Sequence, residues 1–137
     1  MARRRLSHEG TPVLDSEGLS KLLADEEQVV ALIAAARSRG MEVVISALTI
    51  IEAVHARTNT SRLNWVLSGL RVVPVGDEEA RAASTLLMNA GLHGHTYAID
   101  AAVAEAALRQ HRPVVMLTSD RDDMAKLCGE RVRLVAV

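Results

Sequence analysis

Five short apolar runs, separated by longer helix-like segments, constrain this chain more than any other feature. The runs are TPVLD at about 11–15, which ends in an acid, MEVVIS at 41–46, RVVPV at 71–75, PVVML at 113–117 and RVRLVAV at 131–137. Each is too short for a helix of ordinary length and reads as a strand. Between them lie SEGLSKLLADEEQVVALIAAARSRG, ALTIIEAVHAR, TSRLNWVLSGL, GDEEARAASTLLMNAGL, HTYAIDAAVAEAALRQH and SDRDDMAKLCG, all with helical patterning. The first of these is expected to break near Asp25 and to stop at Gly40. Pro74 places its strand at an edge or a strand end. Continuous apolar strands alternating with helices imply an α/β fold. The expected form is a three-layer α/β/α sandwich on a mostly parallel sheet.

Composition agrees. With 137 residues, one domain is expected over 11–137, preceded by a basic tail at 1–10 that reads MARRRLSHEG. Phe is absent, with one Trp and one Tyr, so the core is built from Ala, Val, Leu and Ile. A net charge of −1 gives no global attraction to nucleic acid or membrane, so a polyanion must be met by a local patch or by metal ions. Cys128 is the only cysteine, which excludes internal disulfides and cysteine-cluster zinc sites and suits a cytoplasmic setting. No apolar run is long enough to span a membrane.

The acids carry the functional information. Asp15 follows the first strand, and Asp120 follows PVVMLTS, with Asp122 and Asp123 next. Ligands in open α/β sheets gather at the carboxyl ends of strands. Glu52 lies in the apolar stretch LTIIEAV, and Asp100 in the alanine-rich HTYAIDAAVAEAALRQ. On helical spacing Asp100 shares a face with Tyr97, Val103, Ala104 and Ala107, while Glu105 and Arg109 point elsewhere. An unpaired carboxylate on an apolar face is costly. Asp15 and Asp120 also fit as helix N-caps, a role compatible with offering an oxygen to a metal. Acids converging on one rim repel and require a cation; oxygen-only donors favour Mg²⁺ or Mn²⁺.

PVLDSEGL, ALTIIEAV, YAIDAAVAEAA and LTSDRDDM, in that order, resemble the four acidic motifs of the PIN domain, and the similarity runs from about Thr11 onward. The chain looks most like small bacterial VapC-type toxins of toxin–antitoxin pairs. The resemblance implies a metal-dependent ribonuclease in which Asp15, Glu52, Asp100 and Asp120 bind the metal. Asp123 matches a fifth acid, and Thr118 and Ser119 match a small polar pair that orients Asp120. It also implies a homodimer and a cognate antitoxin. The basic start and HGHTY fall outside the pattern.

Phosphate binding needs cations; the candidates are Arg57, Arg62, Arg121 and the Arg3–Arg5 tail. His93 and His95 lack a third ligand and read as loop residues. His55, three residues after Glu52, would sit beside it on a helix. Cys128 reads as core, and Trp65 as core or dimer interface. Gly91 and Gly94 lack a phosphate-loop pattern. A receiver domain would need paired acids and a late lysine, and a dehalogenase-type phosphatase a D-x-D; the sequence has Asp15-Ser16-Glu17 at that slot. The remaining rival is a catalytically inactive PIN-like module that binds RNA or protein.

Overall fold

The computed structural model describes residues 10–137. Strand β1 (Thr11–Leu14) leads into helices α1 (Ser16–Leu23) and α2 (Glu27–Ser38). Strand β2 (Val44–Ser46) is followed by α3 (Ala47–Ala53) and α4 (Thr60–Ser68), then β3 (Arg71–Val73). Helices α5 (Asp77–Ala90) and α6 (Gly94–Leu108) lead to β4 (Val114–Thr118), α7 (Arg121–Cys128) and β5 (Val132–Ala136). Among the described residues, no helix is long and apolar enough to cross a membrane.

Local chemistry sets these boundaries. Asp25 takes a left-handed φ of 57° and separates α1 from α2. Gly40, at φ 77°, ends the α2 segment in a backbone region that a side chain would strain. Glu79 accepts from the backbone N–H of Gly76 at 2.7 Å, and Asp77 pairs with Arg81, so the acids opening α5 serve its own N-terminus.

The five strands form one all-parallel sheet in the order β3-β2-β1-β4-β5. Pro74 follows the edge strand β3, where its missing N–H breaks no ladder. Each sheet face carries its own core. One packs Val13, Val44, Met116 and Val132 under α5, α6 and α7. The other packs Leu14, Ile45 and Leu117 under α1, α2 and α4. The result is three layers, α/β/α. Chain direction reverses its progress across the sheet between β1 and β4, which makes the carboxyl ends of these two strands the topological switch point.

Helix α6 is the central helix, buried from Ala101 through Ala107. A helix apolar all round sits inside a protein rather than on it. Glu105, which lies off the Asp100 face, is buried as well. Glu105 Oε2 accepts from Arg109 Nε at 2.6 Å, while Oε1 has no partner among the described residues.

Candidate metal and active site

Asp15 caps α1 directly beyond β1. Its Oδ1 accepts from the N–H of Gly18 at 2.9 Å, and it is nearly fully buried. Burial pushes its carboxyl above the usual range; the Thr118 hydroxyl and the backbone N–H groups of Gly18, Ser119 and Glu17 pull the other way. Asp120 caps α7 beyond β4, accepting from the N–H of Asp123 at 3.3 Å. Its own N–H donates to Thr118 Oγ1 at 2.9 Å. The fully buried Thr118 hydroxyl therefore joins both strand ends, donating to Asp15 and accepting from Asp120. Ser119 is exposed, and it reaches Asp15 through its backbone N–H.

Asp100 lies in the first half of α6, three residues past a kink at Tyr97 (φ −113°, ψ 17°). Burial, then the charges of Glu52, Asp120, Asp15 and Asp123, push its carboxyl up to about 6. Asp100 therefore lies within electrostatic reach of the other four acids. Burial, then the hydrogen bond with the Asp123 carboxyl, also raises Asp120. Asp123 itself is 3.6 Å from Lys126 Nζ. Asp122 is exposed.

Glu52 sits near the end of α3 and is exposed, so the apolar residues around it in sequence do not bury it. Its Oε1 accepts from the Ser16 hydroxyl in a short hydrogen bond. Ser16 was not legible as a site residue; only its place beside Asp15 hints at it. Thr49, one turn before Glu52, is fully buried, and its hydroxyl has no partner among the described residues.

The acids share one rim, yet among the described residues no three Asp, Glu, His or Cys side chains form a closed ligand set. Asp15 and Asp120 hold backbone N–H groups, and Glu52 holds Ser16. The donor chemistry still fits a hard divalent cation. It is oxygen only, and four carboxylates raise the cost of charge on a fifth.

The other candidates separate clearly. α3 stops at Ala53, so His55 falls in the following loop rather than on Glu52's helix. Arg62 pairs with Asp25 at 2.5 Å and lies 5.2 Å over the Trp65 ring, which leaves it committed to the fold. Trp65 is 69% exposed and is not a core residue. Arg57 and Arg121 are exposed. Arg3–Arg5 lie outside the described residues. His93 and His95 are exposed at the start of α6. Cys128 is buried, and burial pushes its thiol up to about 11, which removes it as a nucleophile.

No family model matches the sequence, and no curated protein does. Solved structures do. A chain of VapBC2 from Rickettsia felis, bound to a DNA fragment from their promoter, superposes with a TM-score of 0.69 at 14% identity, covering 93% of this chain and 98% of that one. A chain of a toxin–antitoxin complex from Klebsiella pneumoniae gives 0.65 at 17% identity, covering 88% and 94%. This chain has a VapC-like fold. At such identities the likeness is one of fold, and the chemistry is argued from the acids.

Proposed function

We propose that the protein is a metal-dependent ribonuclease and the toxin of a toxin–antitoxin pair. One observation carries this reading: Asp15 at the start of α1, Glu52 in α3, and Asp120 and Asp123 at the start of α7 all act on Asp100 in α6 near the sheet's switch point. A fold gains nothing in stability from gathering five acids, so the cluster has a chemical purpose. Asp15, Asp100 and Asp120 would hold Mg²⁺ or Mn²⁺, with Glu52 and Asp123 at its edge. Such an ion, when bound, acidifies a water and offsets charge on a phosphodiester.

The chain's own residues prepare the place. Thr118 fixes the separation of Asp15 from Asp120, and Ser16 holds Glu52 against α1. Asp100 takes up a proton more readily than an ordinary carboxyl, which relieves repulsion until a cation arrives. The fold shared with chains of toxin–antitoxin complexes supports a cognate antitoxin as partner. A homodimer and a cytoplasmic location complete the reading.

The test is cleavage of single-stranded and structured RNAs in Mg²⁺, Mn²⁺ or EDTA, beside Asp100→Asn. Metal-dependent cleavage lost in the variant is the expected result. Absence of both cleavage and calorimetric metal binding would instead favour a module that only binds a partner.

A further inference from the structure

The loop between α3 and α4 walls a cavity of about 290 Å³ that the acid cluster does not use. Ser20, Ala53, His55, Arg57, Thr58 and Arg62 line it. Its size lies at the small end of ligand pockets, which run from about 300 to 1,000 Å³.

The loop is built rather than loose. The His55 N–H donates to Thr58 Oγ1 at 2.8 Å, and the Thr58 N–H returns to the His55 carbonyl at 3.0 Å. The Arg57 N–H donates to His55 Nδ1 at 3.1 Å. That bond puts the ring proton on Nε2 and makes it a donor. Arg62 is committed to Asp25 and Trp65. The Arg57 guanidinium has no ion pair among the described residues.

The cavity lies on the Glu52 side of the acid cluster. Ala53 follows Glu52 directly, and Ser20 lies one turn along α1 from Ser16, which bonds Glu52. Four helical residues rise roughly 6 Å. The acids repel a phosphate strand, so cations must hold the strand nearby, and this cavity offers them beside Glu52. Lys126 is already engaged by Asp123.

We propose that this cavity holds a flanking phosphate of the RNA strand, with Arg57 as its charge partner and His55 Nε2 as a hydrogen-bond donor. The proposal rests on the ribonuclease reading. It adds a binding site beyond the acids and sets the side from which the strand approaches, past α1 and the end of α3.

The test is binding of a labelled single-stranded oligoribonucleotide in EDTA over a salt series. Wild type, Arg57→Ala, Arg57→Lys, His55→Ala and Arg133→Ala are compared, with thermal melts to check folding. Arg133→Ala removes an exposed charge on the edge strand β5, away from the cavity. Arg57→Ala is expected to weaken binding about 3- to 10-fold and to flatten the log K–log salt slope by roughly 0.7, with much of the affinity kept by Arg57→Lys. His55→Ala should weaken binding without changing the slope. Equal losses in Arg57→Ala and Arg133→Ala would reduce the effect to net charge and overturn the site. Wild-type affinity in Arg57→Ala, with metal-dependent cleavage intact in the wild type, would overturn the site and leave the nuclease standing. A wild type that neither binds nor cleaves RNA would overturn both.

Discussion

The Thr118 hydroxyl donates to the Asp15 carboxylate, tying the end of β4 to the end of β1 inside the protein. The same oxygen accepts from the Asp120 N–H. Thr118→Val keeps the shape and removes both bonds, leaving a buried carboxylate short of one donor. We expect a loss of about 1–3 kcal/mol in urea unfolding. Thr118→Ser should restore most of it. An unchanged midpoint for the valine variant would show that Gly18 and Ser119 suffice to hold Asp15.

Asp100 gives a pH signature with a definite sign. Its folded carboxyl titrates near 6 against an ordinary 3.8, so between those values the folded state binds more protons than the unfolded. Stability therefore falls as pH rises through that window, and the penalty is complete above it. Screening by solvent at this half-buried group holds the penalty to about 1–2 kcal/mol. In metal-free buffer Asp100→Asn should melt higher than wild type near neutral pH and nearly level with it at pH about 4. A variant that melts lower at neutral pH would mean that the carboxylate is a net structural contributor.

Saturating Mg²⁺ or Mn²⁺ should reverse that order. A ligand that binds only the folded state raises its stability by about 2.7 kcal/mol at a hundred times Kd. Wild type should gain from added metal, while Asp100→Asn should gain much less. Equal melting shifts in the two proteins would place any bound ion away from Asp100.

Glu105 and Arg109 form a buried-to-surface ion pair on α6, 2.6 Å apart, with one Glu105 oxygen unpartnered among the described residues. Arg109→Ala strands the carboxylate. The arginine is 39% exposed and its pairing is partly screened, so the expected cost is about 1–3 kcal/mol. Adding Glu105→Met should recover most of that loss, since an apolar side chain of similar length fits this core. A double variant less stable than Arg109→Ala would show that Glu105 has another favourable contact.

Cys128 should resist iodoacetamide in the folded protein even at mildly alkaline pH, and react at once in guanidinium. Burial keeps its thiol protonated and covered. Mass spectrometry of the native protein would settle it, and rapid native alkylation would mean that α7 opens readily.

The layered architecture was legible because strand length, apolar continuity and helix stops are local properties. PVVML, the break near Asp25 and the stop at Gly40 needed only their neighbours. The acids at strand ends were legible for the same reason: a parallel sheet puts strand carboxyl ends on one rim. What escaped depended on elements distant in sequence. Glu105 read only as lying off the Asp100 face, because its burial depends on packing that the helix's own pattern does not show. Glu52 read as apolar-flanked, although Ile51 and Val54 beside it are exposed in turn. Ser16 reaches Glu52 across a gap in sequence that no spacing rule bridges. Trp65 read as core or dimer interface; its ring lies on the surface beside Arg62, which removes the core half of that reading.

The strand order has a consequence during synthesis. β1 pairs with β4, roughly a hundred residues further along the chain, before β5 closes the far edge. A ribosome that has made β1, β2 and β3 holds a polypeptide with Asp15 and Glu52 but without Thr118 or Asp120. The acid cluster is therefore complete only when nearly the whole chain has emerged, and translation products truncated before β4 lack Thr118, Asp120 and Asp123.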